Sequence, residues 1–340
     1  MKTGKISESI LKRSVFRQIE KYHNEVIKGA GIGEDCAFLS WEGSYCKGET
    51  NCSMTAVSTQ TIAFGVSNAA FLAVMAAANN LAAAGADAKA VTLAITLPEG
   101  AEEQQIKELM YQARECCQKL NIQIAGGHTE VSPMVRRPMV TATAIGKAKM
   151  QGTRQKNERN LSAAGLDIVV SKWIGMEGTC IIAKEKEREL QRRYPAELIA
   201  LAREQENYLS IAAEAAIALK SGVYAMHDVR NGGIFGALWE ISRKLGVGLC
   251  VDLKKIPVRQ ETIEICEFYN LNPYELLSGG ALIMLIQDGQ KLAESLMAEG
   301  IGAFVIGSTN DGNDKIISNQ DEIRYLEPPV PDEIYKLSFI

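Results

Sequence analysis

Four short stretches concentrate the residue types that handle phosphate and metal ions. They are GIGED (31–35), STQT (58–61) with ANNL (78–81), GGHTE (126–130) and HDVRNGG (227–233). Glycine-rich turns present backbone N–H groups without side-chain bulk, as a bound phosphate requires. Magnesium takes hard oxygen ligands, usually only one or two of them protein carboxylates. The first stretch offers both chemistries, with Gly31 and Gly33 followed by Glu34 and Asp35. The second brings the amides Gln60, Asn79 and Asn80, and the third sets Gly126 and Gly127 before His128, Thr129 and Glu130. The fourth combines Asp228, an Arg230 fork suited to a phosphate or carboxylate, and Gly232 and Gly233. Taken singly, each paired glycine reads first as a tight turn. His128, one of three histidines with no HxxxH or HxH spacing, reads first as a partner of a local carbonyl. No GxxxxGK[ST] loop occurs, and GAGIGED comes before a strand rather than after one, against a dinucleotide site.

The elements that must position these residues follow from periodicity. MTAVSTQTI (54–62), AVTLAITLP (90–98) and MVTATAIGKA (139–148) read as strands, and 100–121 as an amphipathic helix with acidic residues in its first turn. The segment 43–53 reads as a hairpin-like loop. The glycine pair is expected as a turn after a strand ending at Ala125. Residues 1–28 are helix-prone. A domain boundary is placed within 149–167, giving an N-terminal domain over 1–150 and a C-terminal domain over 163–340. The second half reads as strand, a long helical stretch over about 184–220, then strand, glycine turn, helix and strand. This order predicts an α+β protein.

Bulk properties narrow the function classes. A chain of 340 residues is long for one core, and its 46% hydrophobic and 23% charged residues suit a folded protein. The net charge of −4 and the lack of basic blocks argue against nucleic acid as partner. The eight cysteines form no CxxC pair, and MKTGKISESILKRSVF has no apolar signal region, so a cytoplasmic protein with reduced thiols is expected. The stretch from Ala63 to Ala86 is long enough to span a bilayer, but its Asn79–Asn80 pair would be costly in hydrocarbon. It is expected as a buried helix, with no membrane partner.

Together, GEDCAFL, NNLAAAGA, AGGHTE, MHDVRNGGIFGALWEIS and NPYELLSGGAL resemble the AIR (aminoimidazole ribonucleotide) synthase-related superfamily, from about Gly29 to Ile306. The second half is most similar to the HypE-type hydrogenase maturation proteins. The resemblance implies a two-domain α+β subunit whose N-terminal strands form a barrel across a homodimer. It also implies Mg²⁺ and ATP as cofactors, used to phosphorylate an oxygen of a small substrate.

Position by position, the resemblance implies Asp35 as metal ligand and catalytic residue, with Glu34 and Glu130 as further metal ligands. It implies Gly31, Gly33, Asn79, Asn80, Gly126, Gly127, His128 and Thr129 as the nucleotide-binding set. Asp228 and Arg230 would act catalytically, and Gly232 and Gly233 join the nucleotide-binding set. Three positions depart from the pattern: Gln60, Asn80 and His128 stand where the family carries carboxylates. A HypE-type carbamoyl acceptor is a terminal cysteine, whereas the last cysteine here is Cys266, so that chemistry is not expected. The sequence thus supports an ATP-binding, HypE-like protein acting on a small substrate. A catalytically degenerate dimer that senses nucleotide or assists assembly is the alternative, and a ligand-free scaffold the blandest reading.

Overall fold

The computed structural model describes residues 3–41, 53–149 and 162–339. Apart from Ser53, which begins a strand, the loop expected at 43–53 lies outside the described residues, as do Cys46, Cys52 and most of the expected boundary within 149–167. Two compact units emerge.

The N-terminal unit contains the described residues of His23–Gly29, Asp35–Met150 and Ser338–Ile340. Its strands are β1 (Val26–Lys28), β2 (Ala37–Leu39), β3 (Ser53–Ile62), β4 (Ala86–Leu97), β5 (Gln123–Val131) and β6 (Met139–Lys149). They form one mixed sheet in the order β1-β2-β3-β6-β4-β5, with β4 and β5 parallel. Alternation sets its two faces. Val91, Leu93, Ile95 and Leu97 of β4 and Val140, Ala142 and Ala144 of β6 are buried. Between them, Thr92, Ala94, Thr96, Thr141 and Thr143 point to the other side and are not buried.

Helix α1 (Ala69–Ala83) packs on β3, β4 and β6, and α2 (Glu103–Leu120) packs on α1. The alanines of α1 admit close approach to the sheet. A Cβ on Gly146 of β6 would stand 2.6 Å from the Leu81 side chain. Fully burying Leu72 or Leu81 contributes about 1.5–3 kcal/mol each. A capping box of Glu102 and Gln105 starts α2, and Asn121 ends it in a left-handed conformation. Among the described residues no helix is long and apolar enough to cross a membrane.

The C-terminal unit contains the described residues of Met1–Tyr22, Ala30–Glu34 and Gln151–Leu337. Residues 3–22 and the GIGE loop therefore pack with the second half of the chain. Its strands are β7 (Asp167–Ser171), β8 (Ala225–Val229), β9 (Gly248–Asp252), β10 (Ala281–Ile286), β11 (Ala303–Asn310), β12 (Lys315–Asn319) and β13 (Glu322–Tyr325). They run in the order β13-β12-β9-β11-β7-β10-β8. Both faces of β10 are covered, which explains its unbroken apolar run ALIMLI.

The longer helices here are α3 (Met176–Glu185), α4 (Ala196–Glu204), α5 (Ala212–Lys220), α6 (Gly233–Leu245), α7 (Gln260–Tyr269) and α8 (Gly289–Ala298), with a single helical turn at Glu187–Leu190 after α3. The single stretch expected over 184–220 is thus divided, because Pro195 sits as the N-cap of α4 and a 3-10 turn at Gln205–Tyr208 follows. The helix-prone start becomes three short turns at Glu8–Ile10, Leu11–Val15 and Phe16–Gln18. The result is a two-unit α+β fold with two mixed sheets.

Candidate functional site

In the N-terminal unit the polar candidates fall into two groups. The first lies where β2, β3 and α1 meet. The Ser58 hydroxyl donates to the Asp35 carbonyl at 2.8 Å, and the Asn80 side-chain nitrogen donates to Ser58 Oγ at 2.9 Å. The Cys36 thiol donates to the Asn80 carbonyl at 3.2 Å. Asn79 and Asn80 are buried near the C-terminal end of α1. The amide at position 80, where a carboxylate was expected, thus acts as a donor that ties α1 to β3.

The second group lies on β5, which corrects the expected turn. Gly126 and Gly127 sit inside this strand, at the edge of the sheet. Gly127 is there for close approach, since a Cβ would stand 2.0 Å from the Leu93 carbonyl oxygen of β4. At Gly126 a Cβ would meet nothing within 4 Å, so the strand has open space above it.

Beyond the glycines the side chains alternate. Thr129 pairs with Ile95, on the buried-face side, and His128 and Glu130 pair with Ala94 and Thr96, on the opposite side. His128 Nε2 lies 3.4 Å from Glu130 Oε2, and both side chains are exposed. His128 and Thr129 therefore cannot grip one group from the same side. Strands β6 and β4 separate β5 from β3, so the two groups stand about 14 Å apart at ordinary strand spacing.

The three expected metal ligands do not converge. Glu34 lies in the C-terminal unit and pairs with Lys244 at 3.2 Å. Asp35 belongs to the first polar group, and Glu130 lies on the far side of the sheet from Ser58 and Asn80. Among the described residues, no group of three or more His, Cys, Asp or Glu side chains could hold a metal ion. Gly31 and Gly33 form a turn with Glu34, whose N–H donates to the Gly31 carbonyl. Gly33 (φ +71°) packs on α6, where a Cβ would come within 2.7 Å of the Glu240 carbonyl oxygen.

In the C-terminal unit the HDVRNGG stretch leaves β8, an edge strand, and enters α6. Arg230 is buried and meets Glu177 of α3 through two parallel hydrogen bonds, Nε at 3.1 Å and Nη2 at 2.9 Å. Burial works against the guanidinium charge, but Glu177, with Asp228 and Asp332, outweighs it and raises the pKa. Gly232 donates to Asp332 Oδ2 at 2.6 Å. The other carboxylate oxygen of Asp332 accepts from Leu277 at 3.2 Å and Ile334 at 2.9 Å. Burial lifts its pKa to about 7 despite these donors. Gly233 passes close to the Tyr274 carbonyl.

Several charged residues around this turn escaped sequence reasoning. His227 Nε2 lies 3.1 Å from Glu240 Oε2, and Lys5 also pairs with Glu240. Burial would raise the Glu240 pKa, but the His227 hydrogen bond and the Lys5 charge bring it to about 2. At the end of β7, buried Lys172 (φ +55°) pairs with Glu214 and donates to the carbonyls of Tyr208 and Ser210 at 2.8 and 2.7 Å. Its pKa is lowered by burial. Cys266 is buried on α7 and its thiol is pushed up to about 12, so it is no ready nucleophile.

Comparison with known proteins fits this architecture. Residues 33–148 match the AIR synthase related protein, N-terminal domain, and residues 163–318 match the AIR synthase related protein, C-terminal domain. A provisionally named hydrogenase expression/formation protein of Methanocaldococcus jannaschii is 26% identical over 77% of this chain and 77% of its own length. Carbamoyl dehydratase HypE of Rhodobacter capsulatus is 26% identical over 69% of this chain and 68% of its own. Among solved structures, HypE in a HypE–HypF complex superposes with a TM-score of 0.68 at 20% identity, over 91% of this chain and 96% of that one. HypE in complex with ATP gives 0.63 at 19%, over 82% and 86%. The chain belongs to the AIR synthase-related family and is HypE-like within it.

Proposed function

We propose that this protein binds ATP and uses it to phosphorylate an oxygen of a small substrate, as a homodimer. The observation that carries this reading is HypE-like family membership, joined to a likeness in fold to a HypE crystallised with ATP. The HypE–HypF complex adds a partner protein to the proposal. ATP suits the N-terminal unit at β5, where Gly126 leaves open space and an edge strand offers backbone donors. In this reading Thr129 contacts a phosphate from one side of β5, and His128 and Glu130 face ligand or a partner subunit from the other.

Magnesium fits only as an ion carried by the nucleotide. The three carboxylates expected to cage it form no cluster among the described residues, so phosphates and water would supply most of the ligands, as Mg²⁺ accepts. Asp35 would serve as the protein ligand only where the phosphate chain extends from β5 toward the first polar group. Bound there, Mg²⁺ would screen phosphate charge. The chain's own residues would do the remaining work. Arg230, locked on Glu177, shapes the turn that carries Asp228 and presents Gly232 and Gly233, so it acts by positioning.

The test is a thermal-unfolding titration with ATP, with and without Mg²⁺, on the wild type and Asp35→Ala. A ligand at one hundred times its Kd stabilises the native state by about 2.7 kcal/mol. The expected result is a stabilisation that needs Mg²⁺ and is lost in Asp35→Ala. No stabilisation up to millimolar ATP would overturn the proposal. Binding without phosphate release in the presence of candidate substrates would favour the nucleotide sensor instead.

A further inference from the structure

The N-terminal turns and α6 enclose a cavity of about 520 Å³, all within the C-terminal unit. That volume lies in the range of small-molecule sites. Its walls are mainly apolar: Ile6 and Leu11 from the first turns, Ile32 from the glycine loop, Trp239 from α6, and Pro329 and Val330 from the segment after β13.

The charged groups around it are already matched to one another. Glu8 takes Lys12 and Arg243, and accepts from the Trp239 indole N–H at 3.1 Å. Glu240 takes Lys5 and His227. Asp332 is satisfied by three backbone N–H groups. Three cations (Lys5, Lys12, Arg243) thus stand against three carboxylates (Glu8, Glu240, Asp332) along the lining.

An anionic ligand would have to take a lysine or arginine from its carboxylate and then sit near Asp332. A cationic ligand would have to compete for Glu8 or Glu240 against two or more donors each. Lys5, Lys12 and Arg243 keep 44–49% of their side-chain surface exposed, so each pair is individually weak, but the lining offers an ionic ligand no charge that is not already matched. An uncharged molecule disturbs none of them and gains from the apolar walls. Trp239 favours one with a flat aromatic ring.

We propose that this cavity is a binding site for an uncharged, largely apolar, ring-containing small molecule, roofed by the N-terminal turns. The cavity borders the turn at Gly232 and the glycine loop at Ile32, but the proposal does not rest on nucleotide binding, and its test contains neither nucleotide nor metal. The probe is 7-amino-4-methylcoumarin, a neutral fluorescent ring, titrated against the full chain by emission and anisotropy. Its analogue 7-amino-4-methylcoumarin-3-acetic acid adds one negative charge to the same body.

Two variants fill the cavity from different walls, Val330→Trp and Ser9→Trp, both at residues exposed enough to accept the larger ring. Their melting temperatures confirm folding. The expected result is saturable binding of the neutral probe, at least tenfold weaker binding of the acid, and at least tenfold weaker probe binding in a folded variant. The proposal is overturned by no saturable binding, by equal or tighter binding of the acid, or by wild-type affinity in both variants.

Discussion

Asn80 shows how one atom type decides what a position does. Its side-chain nitrogen donates to Ser58 Oγ, and that hydroxyl in turn donates to the Asp35 carbonyl. An aspartate here has no donor, so Asn80→Asp would leave two oxygens competing for one hydroxyl proton. The expected cost is about 1–3 kcal/mol in urea unfolding without metal. If Mg²⁺ restores that loss, position 80 lies within reach of a metal site; if not, the amide is a structural tie. The neighbouring glycines predict an equally sharp contrast. Gly127→Ala drives a Cβ into the Leu93 carbonyl and should cost at least about 2–3 kcal/mol, whereas Gly126→Ala meets only its unusual backbone angle, worth about 1 kcal/mol. Equal losses in the two variants would contradict the strand geometry.

Between elements, buried charge takes over. The Arg230–Glu177 fork joins the end of β8 to the first turn of α3. Glu177→Ala strands a buried guanidinium and should cost about 3–5 kcal/mol. The double variant Glu177→Leu with Arg230→Met should cost less than that single change, and a larger loss would mean that the pair itself is net stabilising. The His227–Glu240–Lys5 cluster adds a pH signature. Because the Glu240 pKa is held down to about 2, its contribution is fully present above the ordinary glutamate range and is lost as pH falls through 2. The stability gap between wild type and Glu240→Gln, up to about 3 kcal/mol, should therefore close between pH 4.5 and 2; a gap constant with pH would contradict that assignment.

These ties also mark where sequence reading stops. Alternation placed the strands over 90–98 and 139–148, and the amphipathic pattern placed α2, because local period mirrors which face is buried. The glycine pair was visible but its reason was not, since the carbonyl that excludes a Cβ belongs to a strand paired with β5 only in the fold. Glu177, Asp332 and Glu240 gave no signal, because each meets its partner across many residues of chain. The three expected metal ligands formed one set only through the family resemblance, and among the described residues the fold gathers no such cluster.

At the scale of the whole molecule, one sheet is unfinished. Helices cover one face of the N-terminal sheet, and the other carries Thr59, Thr61, Thr92, Ala94, Thr96, Thr141 and Thr143, none of them buried in the single chain. Hydroxyl pairs at 3.0 Å (Thr59–Thr143) and 2.9 Å (Thr61–Thr141) lace this face together. A water-facing sheet usually carries charged side chains, and an edge strand is usually blunted by charge or proline. Here the central face is uncharged, and β5 lies along one edge as nine residues with almost every side chain exposed. A second copy of the same surface would cover both, which is the form the proposed homodimer takes. His128 and Glu130 lie on this side of β5, so dimerisation would bury or complete the very residues placed near the nucleotide. Ala94→Arg puts a charge at the centre of the face without touching the helix side. Light scattering should give a dimer for the wild type and a smaller mass for Ala94→Arg at the same micromolar concentration, with a folded circular dichroism spectrum. If the site is shared between subunits, the ATP-dependent stabilisation should disappear with the dimer. A wild-type monomer that still binds ATP would separate the nucleotide site from the interface and assign the threonine face to another partner.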